Sequence, residues 1–351
     1  MAKVVILGAG VMGSAMAVVA SDRGHRVALV GTPLDEEILR SIEEKRLHPK
    51  LGVTLPPNVT ACRWERFGEA LERGADLLIL GVSSAGVDWV VDQIVAVVAN
   101  ALPVLMITKG LVPKEASIEV FPSVVARELE RRKGLRLPVM AVGGPCIAGE
   151  LAAKRDTSVV ITGDDGVALD RVVDLLDTPY YHARTSRDVV GVEVCAAFKN
   201  LYAIGVGSAH GRLESVERAE NGAQMHNLAA GLFSQALAEL SILVSFLGGE
   251  QTSVSGLPGV GDLYVTCQAG RNHRLGRLLG LGMTYKRAKA DHMATDTIEG
   301  AELAFTIGPT LEAMMKAGTL PKEKLPLTRA IVKAICQDQP FDSCCRNFFR
   351  A

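Results

Sequence analysis

"VVILGAGVMGSAMA", residues 4–17, decides the fold. Apolar β-formers lead into Gly8-Ala9-Gly10-Val11-Met12-Gly13, and Ser14-Ala15-Met16-Ala17 then opens a helix of small residues. A second strand-like run follows at 26–30. G-x-G-x-x-G alone is weak evidence, because turns use glycine freely; between a buried strand and a helix it reads as a dinucleotide-binding turn. Gly8 would make the tight turn, Gly10 would let the backbone approach a pyrophosphate, and Gly13 would let helix pack on strand. The anion would lie at the helix amino end.

An acid at the end of the second strand, accepting from both ribose hydroxyls, would mark NAD. The sequence there is "VALVGTPLDEE", with Gly31-Thr32 at the usual place of the acid and Asp35 arriving late. Thr32 is a candidate cofactor contact, yet Thr32-Pro33 fits an ordinary helix start with Thr32 as its cap equally well. No arginine lies close enough in sequence to claim a 2′-phosphate, so the coenzyme is NAD or NADP.

Outward from this loop, short apolar runs alternate with amphipathic stretches: "HRVALVGT", "DLLILGV", "PVLMITKG", "PVMAVGGP" and "TSVVITG". Each has about five β-rich residues and ends in Gly, Ser or Thr, as strands buried on both faces of a parallel sheet do. Helix-like segments at 34–46, 86–101 and 115–132 separate them. The first half is therefore predicted to be a doubly wound α/β domain, residues 1–187, with ligands at the carboxyl ends of its strands. Beyond it, apolar residues at helical spacing fill 189–209, 221–248, 272–281, 284–292, 298–317 and 325–337, separated by Gly/Pro-rich breaks such as "SGLPGVGD". Residues 188–351 are predicted to form an all-α domain.

Composition narrows the function. The 351 residues carry Lys+Arg 38 against Asp+Glu 39 and are 48% hydrophobic, so no global field draws the chain to nucleic acid. The apolar stretches around 94–107 and 240–248 are broken by Asn100 and Pro103 or end in Gly248-Gly249, and no membrane span is expected. Lys3 runs straight into the first strand, which argues against a secretory leader and for a cytoplasmic protein. Seven scattered cysteines show no metal spacing; they are expected to be reduced thiols, with Cys344-Cys345 packing in a terminal helix, and no metal is expected.

The chemistry is carried by lysines. A carbonyl that receives hydride needs its oxygen stabilised as negative charge grows, and an ammonium can polarise that oxygen and supply the proton. Lys109, in "LMITKGL", follows an apolar strand. Lys199 sits mid-helix among Val194, Ala196, Ala197, Phe198, Leu201 and Ile204 in "VEVCAAFKNLYAIG", where burial would favour proton transfer. Taken alone, it could equally be a snorkelling side chain. A third segment, "SGLPGVGDLYVTCQAGRNHRLG", places Asp262 after a Gly-rich turn and gathers Arg271, His273 and Arg274 beside Asn272. Arginine with backbone amides at a helix start suits a phosphate monoester, and an acid beside a buried lysine would hold its ammonium in place.

"GAGVMGSAMA", "TKG", "GGPCIAGE", "AAFKN", "GVGDLYVTC", "GRNHRLG" and "IEGAELA" together resemble, in order and over nearly the whole chain, the signature set of NAD(P)-dependent glycerol-3-phosphate dehydrogenases. The resemblance implies a Rossmann-like domain joined to an all-helical one, and interconversion of dihydroxyacetone phosphate and sn-glycerol 3-phosphate in glycerophospholipid metabolism. It implies Lys199 as proton donor and acceptor, with Lys109 and Asp262 lining the substrate. Arg271 and Asn272 would hold the phosphate, helped by Asn200, Thr266 and Gly270, and the backbone of Gly144 to Cys146 would face the substrate. Gly8, Gly10, Val11, Met12, Gly13, Lys109, Ala148, Arg271 and Glu299 would contact the dinucleotide.

There are departures. Cys146 stands where a Ser or Thr is usual and Gln235 where an arginine is common, "TCQAGRN" is two residues short, and Val11-Met12 replaces a frequent aromatic. A relative acting on a larger polyol phosphate is one alternative. Another is a β-hydroxyacid dehydrogenase, though Leu201 follows Lys199-Asn200 where K-x-x-N-N would be expected. A third is a non-catalytic dinucleotide sensor. The helices at 228–247 could pair two copies of the chain, or pack within one.

Overall fold

The computed structural model describes every residue except 73, 116, 217–220, 344–347 and 349–351, so the Cys344-Cys345 pair lies outside the described residues. In chain order the elements are β1 (Lys3–Leu7), α1 (Val11–Asp22), β2 (Arg26–Val30), α2 (Glu36–Lys45), β3 (Leu47–His48), β4 (Val53–Thr54), β5 (Val59–Cys62), α3 (Phe67–Leu71), β6 (Leu77–Leu80), α4 (Val87–Val97) and β7 (Val104–Met106). They continue with β8 (Leu111–Lys114), β9 (Ser117–Val120), α5 (Phe121–Lys133), β10 (Val139–Gly143), α6 (Ala148–Ala152), β11 (Thr157–Thr162), α7 (Gly166–Leu176) and β12 (Tyr181–Ser186). Then come α8 (Val189–Ser215), α9 (His226–Leu247), α10 (Gln251–Ser255), α11 (Asp262–Gln268), α12 (Arg271–Gly280), α13 (Tyr285–His292), α14 (Glu299–Lys316) and α15 (Pro326–Cys336).

The chain divides into two compact units, Met1–Lys109 with Phe121–Val189, and Gly110–Val120 with Val190–Ala351. The first is built on one sheet in the order β12-β11-β10-β7-β6-β1-β2-β5. From β5 to β10 every pairing is parallel, and β1 lies between β2 and β6, with Ile6 opposite both Leu29 and Ile79. That centre is the switch point of a doubly wound Rossmann-like sheet, where the strand order reverses and ligands bind beyond the carboxyl ends. Val4, Ile6, Leu29, Ile79 and Leu105 are wholly or nearly wholly buried there, and each such side chain contributes roughly 1.5–3 kcal/mol.

The structure differs from expectation at the sheet's margins. "TSVVITG" forms β11, which runs antiparallel to β10 rather than continuing the parallel series. Strands β5 and β12 have no counterpart among the expected runs; both lie at sheet edges, and their partly exposed residues blur the apolar signal. The helix expected from residue 115 starts at Phe121, because Leu111–Lys114 and Ser117–Val120 pair as the antiparallel hairpin β8–β9. That hairpin packs on α14 and belongs to the helical unit although it lies within the first half of the chain.

The second unit, apart from its hairpin, is helical. Its central helix α8 is 27 residues long and apolar on nearly all sides, as a helix enclosed by others must be. By length and hydropathy α8 and α9 are both long enough to cross a membrane, contrary to the sequence reading, which weighed only the shorter apolar runs. The 18-residue apolar window of α8 is 89% buried within the protein. Helix α9 carries the fully buried Glu239, whose carboxylate accepts from the Leu327 and Thr328 amides, both at 2.7 Å, and from the Thr328 hydroxyl and Gln235 amide. Glu239 thereby caps α15, whose own N-cap, Leu325, has no side-chain oxygen to offer.

Candidate active site

In the first unit the glycine loop joins β1 to α1. Gly8 has φ +117°, and a Cβ on it would meet the Gly81 carbonyl oxygen at 2.5 Å. A Cβ on Gly13 would lie 2.1 Å from the Gly8 carbonyl oxygen, so the strand-to-helix packing requires hydrogen there. Around Gly10 nothing comes within 4 Å of a Cβ position, which leaves open space beside the backbone. Gly10 is the N-cap of α1 with no side-chain cap, and the first turn holds no acid. The leading amides of α1, including those of Val11 and Met12, therefore offer uncompensated donors and positive potential to an anion. These features fit a dinucleotide pyrophosphate.

Lys109 follows β7, Gly144 and Cys146 follow β10, and Ala148 begins α6, so these residues leave the same carboxyl edge of the sheet as the glycine loop. Lys109 and Cys146 are half-buried, and Gly144 takes φ +125°. Thr32 does not cap α2; the N-cap is Asp35. The Thr32 hydroxyl donates to Asp35 Oδ2 at 2.8 Å and accepts from the Leu34 amide at 3.2 Å.

In the second unit, Lys199 projects from the middle of α8. Its residue is 8% exposed, and its ammonium donates to Oδ1 of Asp262, which is fully buried. The "SGLPGVGD" segment is no simple break. Leu257–Gly261 form a π-helical turn that runs directly into α11 and delivers Asp262 as its first residue. Such turns widen a helix locally and re-aim the next side chain. On the neighbouring residue of α8, Asn200 Oδ1 accepts from Asn272 Nδ2 at 2.9 Å, while Asn272 Oδ1 accepts from the Gly300 amide at 2.9 Å. Helices α8 and α12 approach so closely that a Cβ on Gly276 would sit 2.0 Å from the Ile204 carbonyl oxygen.

Helix α12 begins at Arg271 after Gly270, which has φ +102° and supplies no capping side chain. The Arg271 guanidinium pairs with Glu299, the first residue of α14, and their side chains are 46% and 44% exposed. Thr266 spends its hydroxyl proton on the Asp262 carbonyl oxygen at 2.6 Å. Arg274 binds Asp296 and the His292 carbonyl, and His273 pairs with His210 at 2.8 Å; these members of "GRNHR" have structural partners. Folding thus joins Lys199 to Asp262, Asn200 to Asn272, and Arg271 to Glu299, all within one unit.

A protein-family model described as the C-terminus of NAD-dependent glycerol-3-phosphate dehydrogenase matches residues 188–346, and the model of the same family's N-terminus matches residues 3–168. The chain belongs to the NAD-dependent glycerol-3-phosphate dehydrogenase family. It is accordingly an NAD(P)-dependent oxidoreductase. The NADP(+)-dependent glycerol-3-phosphate dehydrogenase of Archaeoglobus fulgidus is 34% identical over 316 residues, covering 89% of this chain and 91% of that one. The glycerol-3-phosphate dehydrogenase [NAD(P)+] of Desulfitobacterium hafniense is also 34% identical, over 90% of this chain and 84% of its own. In fold, the chain is similar to the crystal structure of glycerol-3-phosphate dehydrogenase from Coxiella burnetii, with a TM-score of 0.80 at 24% identity over 100% of this chain and 99% of that one.

Two further side chains meet the glycine loop: Asp35, which the sequence offers only as a late acid after the second strand, and His48, which it does not single out. Asp35 Oδ2 accepts from the Ala9 amide at 3.1 Å, and His48 Nε2 lies 3.0 Å from the Ala9 carbonyl oxygen. Neither belongs to a motif of the family signature, and only burial of a charged or polar residue in an otherwise ordinary helix start and short strand would have flagged them.

Proposed function

We propose that this enzyme interconverts dihydroxyacetone phosphate and sn-glycerol 3-phosphate, with Lys199 as the proton donor and acceptor. The observation that carries the reading is the buried Lys199–Asp262 pair between α8 and α11, next along α8 to the Asn200–Asn272 bond that ties it to α12, the helix that opens with Arg271. Gly10, Val11, Met12 and Gly13 would hold the dinucleotide through backbone amides, which when bound supplies or accepts the hydride. Ala148, Lys109 and Thr32 are further coenzyme contacts on this reading, as are Arg271 and Glu299.

Asp262 holds the Lys199 ammonium by charge and hydrogen bond, which keeps a proton on Nζ ready for the substrate's carbonyl oxygen. In the reverse direction the Nζ amine takes the proton from the C2 hydroxyl. Arg271 has five guanidinium N–H donors, so its pairing with Glu299 leaves others for phosphate oxygens. Asn272 keeps one amide hydrogen beyond that given to Asn200, while Gly270 leaves the start of α12 uncapped for the same anion. Lys109, Gly144, Cys146, Asn200 and Thr266 complete the proposed substrate contacts. The reading also takes the enzyme to be cytoplasmic, which the free thiols of Cys62, Cys267 and Cys336 support.

Absorbance of NADH and NADPH, followed with dihydroxyacetone phosphate and a short panel of larger phosphorylated ketoses, tests this. Oxidation fastest with dihydroxyacetone phosphate is expected. Faster turnover of a larger ketose would reassign the substrate, and binding of coenzyme without any oxidation would make the chain a sensor.

A further inference from the structure

Ala9, at the centre of the glycine loop, is held through both of its backbone polar groups. Its N–H donates to Asp35 Oδ2, which also accepts from the Thr32 amide and hydroxyl, both at 2.8 Å. Its C=O accepts from the Ser14 hydroxyl at 3.1 Å and faces His48 Nε2. The other nitrogen of that ring, Nδ1, accepts from the Leu51 amide at 3.0 Å, which puts the imidazole proton on Nε2 and makes His48 a donor to Ala9. Burial holds His48 below the usual histidine range and therefore neutral. His48 is fully buried and Asp35 is 9% exposed.

A buried carboxylate and a buried imidazole are costly where a packing residue would do, unless their hydrogen bonds are used. Here they converge on one residue, Ala9, from the loop before α2 and from β3, and bind the peptide groups on either side of it. Ala9 immediately precedes Gly10, whose surroundings are open, and the uncapped amides of α1. We propose that Asp35 and His48 are positioning residues for coenzyme binding: by clamping the backbone on either side of Ala9 they fix the loop so that the following amides converge on the pyrophosphate. This rests on the dinucleotide reading of the loop. It also assigns Asp35 differently from a ribose-reading acid. One oxygen of its carboxylate serves three of the protein's own donors, so its contribution is to loop geometry and acts alike on NADH and NADPH.

The test is equilibrium binding of NADH and of NADPH, without substrate, to the wild type and to Asp35→Asn, His48→Leu and His48→Gln. Asp35→Asn and His48→Leu should each raise both dissociation constants by about tenfold, with the two coenzymes changing by the same factor. His48→Gln, which keeps a donor near Ala9, should recover part of the loss, and KM for the phosphorylated ketone at saturating coenzyme should not change. Unchanged dissociation constants in Asp35→Asn and His48→Leu, even with lowered melting temperatures, would make the clamp merely structural and overturn the proposal. So would a loss confined to NADH, which would make Asp35 the ribose acid. If Asp35→Asn does not fold, the two His48 variants decide. A wild type that binds both coenzymes but oxidises neither with the ketone removes the proposed reaction and leaves the clamp standing; a wild type that binds neither overturns both.

Discussion

A lysine in the middle of an apolar helix is tolerated only if its ammonium has a partner, and Lys199 has one in Asp262. The two are 63 positions apart, so the pair exists only in the folded unit. Lys199→Ala should lower kcat by about a hundred- to ten-thousandfold, the usual range for a lost general acid, while leaving the dissociation constant of the coenzyme nearly unchanged. Arg271→Ala should act differently, raising KM for the phosphorylated ketone by more than about tenfold, because the proposed charge-assisted clamp on the substrate would be lost. Steady-state kinetics at saturating coenzyme separate the two outcomes, and a Lys199→Ala enzyme with normal kcat would remove this residue from the chemistry. The sequence exposed Lys199 and Asp262 by contrast with their surroundings, a cation among aliphatics and an acid after glycines. Asp35 and His48 gave no such contrast.

At the scale of elements, α15 depends on a side chain from another helix. Its first amides are buried with no local cap, and Glu239 of α9 serves them. Desolvation raises the Glu239 carboxyl above its usual range, opposed by the bonds from Gln235, Thr328 and Leu327. Glu239→Ala would leave those amides unsatisfied and should destabilise the protein by about 3 kcal/mol, whereas Glu239→Gln, which keeps an acceptor, should cost about 1 kcal/mol. Chemical denaturation of both variants measures the difference. Gln235, one of the departures from the resembled signature, is explained in the same terms, since its amide donates to Glu239 at 2.8 Å. Element boundaries were legible where one face or both were uniformly apolar. The hairpin β8–β9 was not, because Pro113, Lys114 and Glu115 interrupt its alternation and its burial comes from α14.

For the whole molecule, acid should be the unfavourable direction. His25, His48 and His273 all have pKa values below the ordinary 6.5, chiefly because burial disfavours the imidazolium. The unfolded chain then binds protons at a higher pH than the folded one. Their contribution to stability is fully present above about pH 6.5 and is lost as the pH falls through the depressed folded values. Melting temperature should therefore be flat between about pH 7 and 8 and decline below about 6.5. His48→Leu should reduce the slope of that decline, and an identical slope in the variant would show that His48 does not contribute to it.

The sequence by itself determined the two kinds of architecture, the dinucleotide loop, the lysines and the phosphate-binding candidates, because each is a local pattern: period, composition, or one residue out of character with its neighbours. Only the tertiary structure decided which of them meet. It turned β11 against its neighbours, moved the β8–β9 hairpin into the helical unit, set Asp262 on Lys199, and bent Asp35 and His48 onto Ala9. Pairing direction, burial and a buried group's choice of partner are settled by chain segments distant in sequence, so no window along the chain contains them.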